Sequence, residues 1–279
     1  MTGKKIRRWA WEKTLEKQWL FLAVILVGSI PAVLVTRISR NFFWPLQLGV
    51  GIPLRILANI LALGTGFVFL RVAKGEETKI GQIMTPFSRE WFGKALLIVL
   101  VYLAVTVILD HATGFLVDRG TEIIKESGYV EALNSHSGIS WEIRTSHMKG
   151  NAIKSLGTGL RSLLGYCVAI VWFPVDYLLF LSPKKTGRQV IREGVSLGFH
   201  SFWSIFKFRF WVMLPGGIMI FLGISILFLL RETWIVGLVG IPLLYLFNLF
   251  LAYVMVAEAG FALNMTGGTI KMAAKKKRK

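Results

Sequence analysis

Polar residues inside long apolar runs are the positions of this chain where chemistry could occur. Arg55 lies in the run 45–70, and an unpaired charge at that depth costs at least about 2.5–3.5 kcal/mol in a bilayer. It therefore requires a partner. Asn59 follows one helical turn later, and Asp176 is the acid at useful depth in another run. We predict that Arg55 contacts Asp176, directly or through water, with Asn59 beside them.

The sequence leaves two roles open for such a pair. It can fix the packing of two helices, or it can line a polar path for transport. Proline lies within five of the apolar runs, at Pro31, Pro53, Pro174, Pro215 and Pro242. Interrupted helices are typical of many transporters, yet proline is also common in ordinary membrane helices. Arg161 and Glu258 lie nearer the ends of their runs, from where long side chains reach the interface.

The motifs of known enzyme classes are weak in this chain. Residues 194–198 read G-V-S-L-G, with His200 after them, but a nucleophile motif of that form follows a strand, and this segment has a helical pattern. His136 and His147 lack the spacing of a metal pair on a helix. Cys167 is the single cysteine, which excludes an intrachain disulfide. We predict no catalytic residue, no metal site and no cofactor.

The composition is that of a membrane protein. Of the 279 residues, 54% are hydrophobic and 17% are charged, and the mean hydropathy is +0.60. Soluble domains contain about 45–50% apolar and roughly 25% charged residues. The chain also has 10 tryptophans and 20 phenylalanines, and indole rings favour the level of the lipid headgroups. The predicted fold class is an all-α, polytopic membrane protein.

Six apolar runs are long enough to cross about 30 Å of hydrocarbon, which takes roughly 20 helical residues. They are residues 19–38, 45–70, 95–117, 156–181, 210–230 and 234–257. The predicted organisation is a cytoplasmic amphipathic helix, three spans, an external loop, three further spans and a basic cytoplasmic tail. The corresponding ranges are 1–18, 19–117, 118–155, 156–260 and 261–279.

The basic residues between the runs predict the orientation. Most of the 33 lysines and arginines fall in the N-terminus, two alternate loops and the tail, which are residues 1–18, 71–94, 184–209 and 261–279. Because cytoplasmic loops carry the excess of bases, both termini are predicted to be cytoplasmic.

Two segments have the pattern of amphipathic helices at a membrane surface. Near the N-terminus, Trp11, Leu15 and Trp19 recur every four residues among several bases. The connector 184–206 has aromatic residues on one side and bases on the other. We predict that four bases of the connector contact anionic lipid, at about 1 kcal/mol for each base. They are Lys184, Lys185, Arg188 and Arg192.

The net charge of +18 is compatible with more than one class of partner. The run K-K-K-R-K at residues 275–279 could neutralise the phosphates of a nucleic acid. Bases beside membrane spans are also what topology and anionic lipid require, so we predict membrane lipids as partners and no nucleic acid. Long loops often bind partners, so residues 118–155 stay open as a partner-binding surface. A protein partner and a homo-oligomer are both compatible with the sequence.

Two stretches resemble one bacterial family. The first reads F-L-R-V-A-K-G-E-E over 69–77, I-G-Q-I over 80–83 and W-F-G-K-A-L-L over 91–97, and the second is 173–206. They are similar to a family of six-span proteins of unknown activity, itself similar to the membrane anchor of some glycerophosphodiester phosphodiesterases. The family has a serine followed by Gly-His in the connector, where this chain has Gly194 and His200-Ser201. The resemblance implies a bacterial inner-membrane protein. No phosphodiesterase domain is attached, so no catalytic residue carries over.

Three functions are compatible with these patterns. The leading hypothesis is a non-enzymatic accessory or organising module at the anionic cytoplasmic leaflet. The alternative is a small transporter of a solute or a lipid, with a polar site near Arg55 and Asp176. A membrane-embedded enzyme is the third hypothesis, and the lack of a catalytic set argues against it.

Overall fold

A computed structural model describes residues 3–41, 47–126, 142–230 and 233–267. The all-α prediction is confirmed there, because these residues form helices and turns and no strand. The helices are α1 (Gly3–Glu16), α2 (Gln18–Asn41), α3 (Ile52–Ala73), α4 (Phe92–Glu126), α5 (Glu142–Leu181), α6 (Gly187–His200), α7 (Phe202–Leu230) and α8 (Thr233–Met265). A π-helical turn, Gln47–Gly51, leads into α3, and a 3₁₀ helix, Ile80–Phe87, precedes α4.

Among the described residues, five helices contain stretches long and apolar enough to cross a membrane. These stretches are Gln18–Val35, Gly49–Ala73, Phe92–Arg119, Gly157–Leu181 and Pro242–Met265. They overlap five of the six predicted runs, and the chain therefore has the build of a multi-pass membrane protein. The remaining run, residues 210–230, lies inside α7 and is helical over its whole length.

None of the five prolines ends a helix. Helices α2, α5, α7 and α8 each continue through one of them, at Pro31, Pro174, Pro215 and Pro242. Pro53 lies in the first turn of α3, where its missing N–H would have no partner within the helix. The interrupted helices that are typical of transporters are therefore not found at these positions.

The chain forms two compact units, Met1–Val99 with Val171–Lys279, and Leu100–Ile170. In the first unit α8 is central, because α1, α2, α3 and α7 all pack against it. Phe21 of α2 and Phe69 of α3 are both fully buried, and their ring centroids are 4.8 Å apart. The second unit consists of the later part of α4 and the earlier part of α5.

Helix α1 is a packing element as well as the predicted surface helix. Ile6 and Ala10 are fully buried on its inner side. Arg7 donates a hydrogen bond to the carbonyl oxygen of Trp211 at 3.4 Å. The predicted apolar stripe remains partly exposed, with Trp11 at 45% and Trp19 at 72% of their surface.

The described parts of the predicted external loop, residues 118–155, are helical. Helix α4 extends to Glu126 and α5 begins at Glu142, so both helices pass the predicted ends of their spans. A short helix predicted over residues 121–133 lies partly in α4 and partly outside the described residues. His136 and the basic tail from residue 268 also lie outside them.

Candidate functional site

Charged side chains from α5, α7 and α8 meet within the first unit. Arg209 and Glu258 form an ion pair in which Arg209 Nε lies 2.7 Å from Glu258 Oε1, and each side chain keeps 13% of its surface exposed. The N–H of Nε is not aligned with that oxygen, so the contact is an ion pair rather than a hydrogen bond. With Asp176 of α5, these residues form a set that we name the buried trio.

Asp176 completes the trio through electrostatics. Its carboxylate accepts a hydrogen bond from the indole of Trp172, one turn earlier, and it experiences the charges of both Arg209 and Glu258. Arg209 attracts the carboxylate and Glu258 repels it. Because the trio contains two acids and one base, its full neutralisation requires one further positive charge, either a proton or a cation.

An aromatic ring lies against the guanidinium of Arg209, and two further rings stack beside that ring. Its Cζ atom lies 4.8 Å from the centroid of the Phe173 ring. The ring of Phe208 stacks on that of Phe261, with centroids 4.1 Å apart. A guanidinium over a ring face is stabilised by the ring quadrupole, and more so when water is excluded. The rings also lower the local dielectric constant, which strengthens the interactions within the trio.

The predicted contact between Arg55 and Asp176 is absent from the structure. Arg55 is exposed on α3, and Asn59 donates its side-chain N–H to the carbonyl oxygen of Arg55 at 2.7 Å. The rings of Phe67 and Phe180 are 4.7 Å apart and set the register of α3 against α5. Arg55 precedes Phe67 by about 18 Å of helix, whereas Asp176 precedes Phe180 by about 6 Å. The two charges therefore lie at different heights.

A second ion pair, which the sequence analysis overlooked, lies in the second unit. Arg161 Nη2 is 2.6 Å from Asp110 Oδ2, and the side chains are 56% and 41% exposed. Arg161 was predicted to reach an interface by itself. Asp110 lies inside the predicted run 95–117, where an acid is visible in the sequence and needs a partner. Glu258 was also predicted to reach an interface, and it pairs with Arg209 instead.

An open cleft of about 790 Å³ lies where the C-terminal ends of α3, α5 and α8 meet α6, and we name it the end cleft. Its charged lining residues are Lys74, Glu76, Lys185 and Glu193. Its apolar lining residues are Leu178, Leu181, Leu197 and Leu263. Ser182, Thr266 and Gly267 complete the lining. A cleft with a charged part and a leucine part suits an amphiphile.

No model of a protein family, no curated protein and no solved structure matches this chain. The family resemblance inferred from residues 69–97 and 173–206 therefore stays a prediction. The function has to be inferred from the geometry of the chain itself.

Helix α6 packs on α5 through a face of glycines. A Cβ atom at Gly198 would lie 2.0 Å from the carbonyl oxygen of Val171. A Cβ atom at Gly194 would lie 2.8 Å from Cα of Val175. Thr186 caps the helix, because its side chain accepts a hydrogen bond from the backbone N–H of the residue three positions later. The predicted surface helix is thus fixed to the protein along one side.

The four predicted lipid contacts differ in their availability. Lys184, Arg188 and Arg192 are exposed. Lys185 instead forms an ion pair with Glu193 of α6. Two aromatic residues of the connector are also exposed, with Phe199 at 66% and Trp203 at 68% of their surface, whereas Phe202 and Phe206 are partly buried.

The G-V-S-L-G segment serves helix packing. Ser196 is exposed in the interior of α6, and Nδ1 of His200 lies 2.9 Å from the carbonyl oxygen of Ser196. The glycines on either side of Ser196 are buried against α5. A nucleophile elbow requires a sharp turn after a strand, which this helix does not provide. Within the described ranges, no group of three or more His, Cys, Asp or Glu residues is arranged to hold a metal ion.

Proposed function

We propose that the protein is a non-enzymatic accessory or organising module of a bacterial inner membrane, with six spans and both termini in the cytoplasm. In this proposal α1 and α6 lie at the anionic cytoplasmic leaflet. The observation that carries it is the arrangement of α6, whose glycine face is fixed to α5 while Arg188, Arg192 and Phe199 remain exposed.

The glycine face determines which side of α6 is available. Because Gly194 and Gly198 touch the backbone of α5, rotation of α6 about its axis would cause a steric clash. Arg188 and Arg192 lie one turn apart among its exposed residues. A base near an anionic surface contributes about 1 kcal/mol, and aromatic side chains favour the headgroup level. The exposed side of α6 is therefore suited to lipid.

Helix α1 supports the same location. Its inner side is buried against protein, and Lys4, Lys5 and Arg8 are exposed. Trp11 lies between these two sides. Its ring packs edge-to-face on that of Tyr253 of α8, with the ring centroids 5.7 Å apart. The helix thus presents bases and an indole beside a rigid support, which is typical of interfacial helices.

The arrangement of helix ends supports six spans. The C-terminal ends of α3, α5 and α8 meet at the end cleft, and the predicted orientation places all three in the cytoplasm. Helix α8 can end at the cleft only if the preceding helix, α7, runs in the opposite direction, away from the cleft. A Cβ atom at Gly216 of α7 would clash with the ring of Phe250 of α8, and one at Gly223 would touch Leu243. This antiparallel hairpin favours α7 as the sixth span.

Spin labels can test the leaflet contact, because the chain has one native cysteine. In a Cys167→Ala background, we place labels at Phe199→Cys and, as the matched control, at Ser196→Cys. In nanodiscs with anionic lipid, we expect the label at 199 to be accessible to oxygen and the label at 196 to a water-soluble nickel reagent. Equal accessibility of both labels to nickel would contradict the proposal.

Purification from native membranes tests the accessory role. The full chain is isolated in mild detergent, and the proteins and small molecules that accompany it are identified by mass spectrometry. We expect a stoichiometric protein partner. A chain that is isolated without a partner and retains one specific solute would overturn the accessory role in favour of transport.

Transport is the second candidate, and the buried trio favours it. Its surplus carboxylate can take up a proton or a cation, which is how many transporters couple their cycle. The site would then be Asp176 with Arg209 and Glu258, in place of Arg55. Replacing both Arg209 and Glu258 by methionine should preserve insertion and any partner if the pair serves packing. A solute retained by the native chain and lost from this variant would favour transport.

A further inference from the structure

We infer that the end cleft binds one phospholipid whose headgroup carries both a phosphate and a primary ammonium. The inference rests on the proposed location of the protein at a leaflet, and it adds the class of ligand. It is carried by the charge pattern of the cleft, by its free hydroxyl group and by its leucines.

Two sides of the end cleft each present one base and one acid. On one side, Lys74 and Glu76 follow the end of α3. On the other side, Lys185 precedes α6 and Glu193 lies within it. A phosphate needs cationic or N–H donors, and an ammonium needs carboxylate or carbonyl acceptors. The cleft therefore offers both kinds of partner within one space.

The donors of the cleft are not all occupied by protein. Lys185 is paired with Glu193, and Glu76 is paired with Arg71 at 2.7 Å. Within the described part of the chain, no acid lies within ion-pair distance of Lys74, and no group accepts the hydroxyl proton of Ser182. Lys74 and Ser182 are thus available to a phosphate.

The cleft keeps acceptors for an ammonium, because the two ion pairs use Oε2 of Glu76 and Oε2 of Glu193, and each carboxylate retains its other oxygen. Several carbonyl groups at the ends of α3, α5 and α8 already accept backbone N–H groups, but each C-terminus still carries about half a negative charge. Helices α3, α5 and α8 all end at the cleft. A headgroup without an ammonium, such as that of phosphatidylglycerol, would leave these acceptors without a partner. A quaternary ammonium has no N–H to donate to them, so a primary ammonium is favoured.

The apolar lining argues for a lipid rather than a soluble phosphate ester. Leu178 and Leu181 of α5 and Leu263 of α8 line the same cleft as the charged groups. A volume of about 790 Å³ exceeds what a headgroup alone requires, within the range of about 300–1,000 Å³ that small-molecule sites occupy. The remaining space suits the first methylene groups of the acyl chains.

Native mass spectrometry of the intact chain tests the inference. The protein is exchanged into detergent with equal amounts of phosphatidylethanolamine, phosphatidylglycerol and phosphatidylcholine of matched acyl chains. We expect one phosphatidylethanolamine per chain, retained at least about fivefold over each of the others. Lys74→Gln combined with Glu193→Gln should abolish that preference. The matched control is Lys79→Gln combined with Glu77→Gln, which alters exposed residues of the same charge outside the cleft.

Three results would overturn the inference. They are equal retention of the three lipids, a preference that survives in the cleft variant, and displacement of the lipid by an equal concentration of soluble glycerophosphoethanolamine. The leaflet contact is tested separately by Arg188→Glu with Arg192→Glu. If that variant alone loses its lipid, the end cleft fails as the site while the leaflet proposal stands. If the spin labels contradict the leaflet contact and the cleft still selects its lipid, only the leaflet proposal fails.

Discussion

The ion pairs of the two units have similar lengths and different surroundings. Arg209 and Glu258 are 2.7 Å apart and each 13% exposed, whereas Arg161 and Asp110 are 2.6 Å apart and 56% and 41% exposed. The ring of Phe173 lies against the arginine of the first pair, and a third ionisable group, Asp176, lies near the pair. The two pairs therefore differ in their burial and in the charge beside them, and not in the distance between their charged atoms.

The difference predicts unequal contributions to stability. When one partner of a buried pair is removed, the remaining charge lacks both water and a counter-charge, which costs about 3–5 kcal/mol. When one partner of an exposed pair is removed, the other is solvated or reaches an interface, and the loss is about 0–1 kcal/mol.

Arg209→Gln should have the largest effect. It leaves Glu258 and Asp176 facing each other without a base, so we expect the free energy of unfolding to fall by about 3–5 kcal/mol. The measurement is thermal and denaturant unfolding in nanodiscs, followed by circular dichroism. Arg161→Gln is the matched control, with an expected loss below about 1 kcal/mol. Equal losses in the two variants would remove the distinction between the pairs.

Gly198→Ala extends the comparison from charge to volume. The new methyl group would lie 2.0 Å from the carbonyl oxygen of Val171 and would force α6 away from α5. We expect a loss of about 1–3 kcal/mol by overpacking, in the same unfolding assay. In Gly66→Ala the methyl group meets no atom within 4 Å, so this control should be neutral or stabilised by about 0.5–1 kcal/mol. An equally stable Gly198→Ala variant would show that α6 is not held by its glycine face.

Asp176→Asn should have a much smaller effect than Arg209→Gln. It removes the surplus negative charge and leaves the ion pair of Arg209 with Glu258 in place. We expect the free energy of unfolding to stay within about 1 kcal/mol of the native value, because no unpaired charge is created. A loss as large as that of Arg209→Gln would identify Asp176 as the principal partner of the arginine.

The smallest expected quantity is the coupling energy between Asp110 and Arg161, the two members of the exposed pair. In a double-mutant cycle of Asp110→Asn and Arg161→Gln, the coupling energy should be below about 1 kcal/mol. The cycle separates the interaction from the loss of each side chain alone. A coupling above about 2 kcal/mol would place this pair in the same class as the buried trio.

Local features of the fold were accessible from the sequence. The runs of apolar residues predicted helices of the right type, and Thr186 with Gln189 has the spacing of a capping box at the start of α6. Asp110 was visible as an acid inside an apolar run, and its need for a partner follows from that position alone. The overlooked pair with Arg161 was thus within reach of sequence analysis.

The partner of Arg209 was not accessible in this way. Arg209 reads as one base of a cytoplasmic loop, and Glu258 reads as an acid near the end of a span. Their contact depends on the register of α7 against α8, which Gly216 sets by admitting the ring of Phe250. The absent contact of Arg55 with Asp176 has the same origin, since helix register decides the height of each charge.

The sequence by itself determined the helical class, the membrane build and the amphipathic pattern of α6, because these properties depend on residues within one or two turns of each other. Hydrogen bonds within a helix and the transfer of apolar side chains from water need no distant partner. The tertiary structure alone decided which charges meet, which face of α6 is free and where the end cleft lies. Those outcomes depend on close contacts between helices far apart in the chain, and no local pattern of residues encodes them.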